Sequence, residues 1–592
     1  MSDSTDVIPF GVVDYVVFSA MLGVSAATGI YHCFAGGGQQ TTSKFLVANR
    51  SMGCVPIAMS MFVSFTSAIA VMGLPAEVFI YGIQYVFYIN SYLWAYPFTA
   101  YFFIPVFRRL NLTSVFEYMG LRYHVSHRIT CSTISSLQML LYMATTMVGP
   151  ALAIEAVQGL EMWKTVVITG TIATFYTTLG GMKAVIWADV FQFLVIVGSL
   201  LTVAILGTHE VGGLERVWNN NDVGDRLKFF NFSFDPTDRL SFFGLTIGIV
   251  VSVVTVSVTQ PAVQRYIAAK SLGHARGSLL LTIPFHLILF PVSYFNGLVL
   301  YAFYNNKQTS LVPAINSTFP PLTPDISLTG DGDSMRYEPN YSNADQILMY
   351  FVSSQFGRIP GMQGLFVACL FAGALSTISS GLNGTAACFL QDIVKPWRKL
   401  RADKRKTSVT VNDAWDTKLS KILSCVFGVL ATLIGFLVPY LGSLVVISNI
   451  VGSVFGGPIV ATFVMGMFLT RTNSWGAFTG LVFGFALGVF ISAGPIVAEQ
   501  LNIEPLPIQR ISFIWYSAVT FTATLIVGVV VSEIARCIKP SLLKRVDSSL
   551  LILMLRRRYT FSDDDDYVVL EEDGFFPVER PDDATGRMNK TD

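Results

Sequence analysis

Ser376-Thr377-Ile378-Ser379-Ser380-Gly381-Leu382-Asn383-Gly384 lies inside an apolar run that extends from Gly364 to Pro396. Hydroxyls and glycines clustered at membrane depth suit a small hard cation, because hydroxyl and freed carbonyl oxygens replace its lost water shell. The stretch points to an ion-coupled transporter built of membrane-spanning helices. A second segment, from Met59 to Glu77, carries Ser60, Ser64, Thr66 and Ser67 at helical spacing and ends in Gly73 and Pro75. Either segment alone has a purely structural reading, since small residues let helices approach and Ser or Thr can bond its own helix at i−4. Two of them, several spans apart, favour a shared polar site made by interrupted helices.

Composition sets the same scene. The chain is 52% hydrophobic and 13% charged, with mean hydropathy +0.56, where a soluble domain has about 25% charged residues. A polytopic membrane protein is expected, with the lipid bilayer as its surroundings. A formal net charge of +1 gives no field for nucleic acid. The seven cysteines are scattered without a CxxC pair and the six histidines do not cluster, so packing cysteines and no metal other than the coupling ion are expected. Met1 to Pro9 has two acidic residues and no basic one, which does not read as a cleavable signal.

Runs long enough to cross a bilayer fall near 11–32, 53–74, 83–107, 130–156, 162–180, 185–207, 242–263, 278–304, 360–394, 419–440, 443–469, 474–495 and 510–537, thirteen in all. Placing residues 1–10 outside puts Arg50, Arg108, Arg109, Arg122, Arg128, Lys183, Arg265, Lys270, Arg276 and the Lys395–Lys406 cluster in the cytoplasm, as the positive-inside rule requires. An odd count leaves the C-terminus inside. The connection 305–359 is then extracellular, with glycosylation sequons at Asn316 and Asn340. Residues 541–592, with Asp563 to Asp566 and Glu571 to Asp573, read as a solvated acidic cytoplasmic tail.

Asp189 enters the sixth span at its cytoplasmic end, with Gln192 on the same face at i+3. A carboxylate there needs water, an ion or a partner, although a helix N-terminus also favours one. Glu77 and Glu155 lie near external boundaries and read as interface residues. No basic residue stands out at membrane depth.

Taken together, Phe65 to Glu77, Thr113-Ser114-Val115-Phe116-Glu117-Tyr118, Phe175 to Gln192, Val263-Gln264-Arg265-Tyr266 and Leu375 to Pro396 resemble the sodium/solute symporters. That family includes sodium–glucose, sodium–iodide, multivitamin and monocarboxylate transporters. The resemblance covers about residues 11–540 and is closer to the iodide, multivitamin and monocarboxylate branch. It implies an all-α, LeuT-like fold of two five-helix inverted repeats, roughly 53–207 and 242–469. It also implies a plasma-membrane symporter, not an enzyme, with no cofactor beyond sodium as coupling ion. By the same resemblance, sodium sits between the second and ninth spans. Its ligands are the carbonyls of Val63, Thr66 and Gly373 and the hydroxyls of Ser376 and Thr377, with Asp189 on the inward route.

Substrate is implied near Ser67, Ala70, Tyr142, Thr255 and Val256. In the sugar branch the positions of Ala70, Thr255 and Val256 carry a polar sugar contact and two aromatics. Their absence here disfavours a hexose and favours a small organic anion, a monocarboxylate or a vitamin such as biotin or pantothenate. The alternatives are a sodium-coupled iodide or sugar transporter, or a non-transporting sodium-dependent sensor.

Overall fold

The computed structural model describes residues 8–34, 41–306, 344–405, 413–441, 443–539, 546–552 and 555. The sequons at Asn316 and Asn340, most of the 305–359 connection, residues 1–7 and most of the 541–592 tail lie outside the described residues. Among those described, every long element is a helix and no strand forms; an isolated parallel bridge joins Met52 to Ala269. Among the described residues, nine helices are long and apolar enough to cross a membrane, ten if one bent pair counts as a span. The thirteen expected runs exceed that number for identifiable reasons. The Met162–Val211 helix holds two of them, divided at Gly181 with φ +62°. The expected 83–107 span is assembled from shorter pieces, Ile83–Phe87, Tyr88–Phe98, Thr99–Phe103 and Ile104–Arg109.

Two helices are interrupted, and they open the two expected repeats. The Cys54–Tyr81 helix breaks at Ser67, whose φ of 47° and ψ of 173° lie in a region that only glycine visits freely. Ser67 relieves part of this cost by capping the half that follows it, the outer half under the expected topology, as the half before it is the inner: its Oγ accepts from Ile69 N at 3.2 Å. The second interruption separates Gly244–Ser257 from Gln260–Ala268 by a bend of 57°. Thr259 is extended there and Pro261 begins the inner half, where a missing N–H costs a helix nothing.

The segment that opens the sequence reading is not interrupted. The Met362–Cys388 helix is continuous through Ser376 to Gly384 and buried along nearly its whole length. Two of its glycines instead receive the breaks of the other two helices. A Cβ on Gly373 would lie 2.8 Å from Ala68 N and from the Ser67 carbonyl carbon, and one on Gly384 would lie 3.0 Å from Pro261 Cγ. Small residues read as signs of a break are the sockets into which breaks fit.

Three charged positions also differ from expectation. Arg265, read as a cytoplasmic loop residue, is fully buried in the Gln260–Ala268 half-helix. Glu77, read as an interface residue, is 4% exposed and paired with Arg239. Part of the expected solvated tail is docked: Leu550, Leu551 and Ile552 are buried.

Candidate functional site

The five expected cation-binding residues converge beside the Ser67 break. Val63, Thr66, Gly373, Ser376 and Thr377 are all buried. Thr377 Oγ1 lies 3.0 Å from Ser64 O and 3.0 Å from Gly373 O, bridging the two helices. Ser376 Oγ lies 2.7 Å from Ser64 Oγ. A break leaves the last carbonyls of the upstream turn, at Val63 to Thr66, without intrahelical donors, and one of them, Ser64 O, is the carbonyl that Thr377 meets. A hydroxyl that donates to a carbonyl keeps lone pairs for a cation. Carbonyl and hydroxyl oxygens with no soft ligand are the donor set of a hard monovalent ion.

Against the inner half, next to this cradle, lies a charge network that sequence reading missed. Arg265 Nη2 is 3.1 Å from Asp189 Oδ2, and both side chains have zero exposure. Ser60 Oγ donates to the same carboxylate oxygen at 2.5 Å and accepts from Arg265 Nε at 2.8 Å. The guanidinium also reaches Ser64 Oγ at 2.5 Å, Ser380 Oγ at 2.6 Å and Pro261 O at 3.0 Å. Ser64 thus belongs to both groups, touching Ser376 on one side and Arg265 on the other. Gln192 points away from this network, toward Ser25 Oγ at 3.3 Å. The clue in the sequence was Pro261, which opens a new helix and so carries Arg265 back into the bundle.

Beside the break, and lined in part by Ser64 and Ser380 of that network, is a cavity of about 160 Å³. Ser67, Ala70, Tyr142 and Val256 line it, together with Thr66 and Thr377. Thr66 Oγ1 is buried there with no hydrogen-bond partner among the described residues. Thr255 is not among the lining residues: its Oγ1 bonds Val251 O at 2.9 Å, and its methyl fills the space a side chain on Gly456 would need. Tyr85, Tyr88, Tyr92 and Tyr96 also line the cavity, neighbouring rings 5.4, 5.5 and 5.1 Å apart along the series. Their spacing of three, four and four residues places them on one helical face, a pattern legible in the sequence.

The cavity has a floor. Gln260 Oε1 accepts from Val115 N at 2.8 Å and its Nε2 donates to Thr113 O at 2.8 Å. Ser114 Oγ donates to Asp392 Oδ2 at 2.5 Å, and Arg128 Nε holds the other oxygen at 2.6 Å. The Thr113 to Tyr118 motif therefore ties the second interrupted helix to the segment following Met362–Cys388. Toward the outer mouth, Arg239 grips Glu77 through two bonds of 3.1 Å and lies 4.0 Å over the Tyr81 ring. Nearby, burial and the charge of Glu77 push the Asp345 carboxyl up to about 6, and it accepts from Leu444 N at 3.1 Å.

Two interrupted helices around a buried polar site and a cavity, within a polytopic all-α bundle, define a transporter of the LeuT-like class. The family model described as the sodium:solute symporter family matches residues 45–484. The chain is 36% identical over 509 residues to sodium-coupled monocarboxylate transporter 1 of Mus musculus, covering 86% of this chain and 77% of that protein. It is 34% identical over 560 residues to the sodium-dependent multivitamin transporter of Oryctolagus cuniculus, covering 88% and 82%. A solved Na+-coupled sialic acid symporter in a substrate-bound, outward-open state shares the fold, with a TM-score of 0.71 at 23% identity and coverage of 89% and 98%. The chain belongs to the sodium:solute symporter family.

Proposed function

We propose that this protein is a plasma-membrane symporter that carries a small organic anion, a monocarboxylate or an organic-acid vitamin, by alternating access driven by sodium. The observation that carries the reading is the oxygen cradle at the Ser67 break, where Thr377 bridges Ser64 O and Gly373 O. Sodium at Val63, Thr66, Gly373, Ser376 and Thr377 would brace the inner half of one interrupted helix against the Met362–Cys388 helix. Because Ser64 also holds Arg265, a cation that draws on these hydroxyls changes the load on the Asp189–Arg265 pair. That pair lies on the cytoplasmic side, the direction in which sodium must leave.

Substrate fits the adjoining cavity. Arg265 is committed to Asp189, so a carboxylate is best met by the start of the outer half-helix at Ser67 to Ala70, where backbone N–H groups and the helix dipole favour an anion. The Thr66 hydroxyl adds an uncommitted donor. The apolar body would lie among the tyrosines, Val256 and Phe290. The names of the relatives, monocarboxylate and multivitamin transporters, support the same substrate class, and the missing sugar-type groups at Ala70, Thr255 and Val256 argue against a hexose. Uptake into proteoliposomes should be tested with lactate, butyrate, nicotinate, biotin, pantothenate, iodide and glucose, each with and without a sodium gradient. Sodium-dependent, saturable uptake of one of the organic acids is expected. Uptake of glucose alone would overturn the substrate class.

A further inference from the structure

The described part of the C-terminal region returns to the cytoplasmic face and seats beside the cavity floor. Its residues Val546 to Ile552 follow the last long helix, Tyr516–Ile538. Asp547 caps a short turn by accepting from Ser549 N at 2.7 Å. Beyond the turn, three carbonyls are held in sequence. Arg109 donates to Ser549 O, and at 2.7 Å to Leu551 O; Tyr118 OH donates to Leu550 O at 3.2 Å. Ile552 N closes the set by donating to Met467 O at 3.3 Å. Leu550, Leu551 and Ile552 are 4%, 1% and 4% exposed. Burial of three large aliphatic side chains and four backbone bonds forms a crevice with a resident peptide.

The residues that hold the peptide are also parts of the gate. Arg108, next to Arg109, donates to Ile267 O at 2.7 Å and to Ala269 O at 3.0 Å, at the end of the half-helix that carries Arg265. Tyr118 terminates the motif whose Ser114 bonds Asp392 and whose Val115 N bonds Gln260. Adjacent arginines thus grip the interrupted helix and the returning segment, and Tyr118 joins that segment to the floor. Inward opening has to separate the floor from Gln260, and the docked segment resists that separation by fixing both supports to Met467.

We infer that residues 548–552 are an intramolecular strap that holds the cytoplasmic gate closed, in a crevice formed by Arg109, Tyr118 and the end of the Leu444–Phe468 helix. This rests on the alternating-access reading above. Removing the strap shifts the population toward the inward-open state. Its release, by whatever acts on the cytoplasmic tail, would raise the frequency of opening without altering the cation or substrate contacts.

Cys388 supplies the reporter. It lines the cavity and is buried behind the floor, its Sγ 3.9 Å from Ser114 Oγ. In a variant retaining Cys388 as its one cysteine, labelling by a membrane-impermeant maleimide from the cytoplasmic side measures how often the gate opens. Truncation after residue 545 should raise the labelling rate about tenfold, as expected if part of the backbone bonding that seats the strap is lost. Tyr118→Phe, which removes one hydroxyl and leaves the ring, should raise it by about fivefold. The assay needs no substrate, so a wrong substrate class leaves it readable. Sodium protection against thermal unfolding verifies that each variant is folded. An unchanged or slower labelling rate in a folded Tyr118→Phe or truncated protein would overturn the strap.

Discussion

The two halves of the Cys54–Tyr81 helix are each held by an arginine from the neighbourhood of the second interrupted helix, and they are held differently. The inner half is gripped by Arg265 through the neutral hydroxyls of Ser60 and Ser64, with the balancing carboxylate supplied by Asp189 of a third helix at zero exposure. The outer half is gripped by Arg239 through a direct two-bond pair with Glu77, and the arginine side chain remains 21% exposed. A direct ion pair is a fixed attachment. At the inner half the helix itself contributes only hydroxyls, which can turn and exchange partners around the Asp189–Arg265 pair, and one of them, Ser64, also touches the cation cradle. The inner clamp is thus suited to respond to an ion and the outer clamp to hold its half still.

The largest effect that would break this comparison comes from the inner pair. Arg265→Ala leaves Asp189 buried and uncompensated, a loss of about 3 to 5 kcal/mol, and should abolish folded protein or uptake. Arg265→Lys should rescue poorly, because an ammonium cannot reproduce a guanidinium fork that reaches five acceptors. Surface abundance and uptake measured together check this; full activity of Arg265→Ala would show that the inner clamp is dispensable.

Next in size is the socket. A methyl on Gly373 meets the Ser67 and Ala68 backbone at 2.8 Å, and overpacking of that kind costs about 1 to 3 kcal/mol. Gly373→Ala should raise the sodium concentration for half-maximal uptake by about ten- to a hundredfold, while its surface abundance changes less. Equal sodium dependence would mean that the break does not position the cation.

The outer clamp should be the weakest. Glu77→Gln removes a charge-assisted pair worth about 1.5 kcal/mol or less, since Arg239 reaches solvent and salt screens it. Maximal uptake should fall by about tenfold or less with sodium dependence nearly intact, as a sodium titration of uptake would show. A large shift in sodium affinity would erase the distinction between the clamps.

How much of this was legible in the sequence follows from what each residue does locally. Hydrophobic runs gave the all-α polytopic class because spanning a bilayer demands about 20 apolar residues regardless of packing. Ser376 and Thr377 stood out because hydroxyls are conspicuous in an apolar helix. Their glycines were misread, since one residue type serves both a break and a socket, and only packing distinguishes them. Arg265 was assigned to a loop because charge counting treats every arginine near a span end as solvated, whereas its partner Asp189 lies 76 positions away. Thr255 misled for a related reason: helical register alone does not say which face meets the cavity and which meets Gly456. The docked Leu550 to Ile552 segment lacked the length of a span and so passed as tail.

Sodium dependence of uptake in the Ser376→Ala/Thr377→Ala protein, normalised to surface expression, tests the central claim most directly. Each hydroxyl contact with a desolvated cation is worth about 1.5 to 3 kcal/mol, so half-maximal uptake should require at least about tenfold more sodium. Substrate affinity should weaken at low sodium and recover at high sodium, because the two sites are thermodynamically linked. An unchanged sodium dependence in that double variant would place the coupling ion elsewhere and contradict the account.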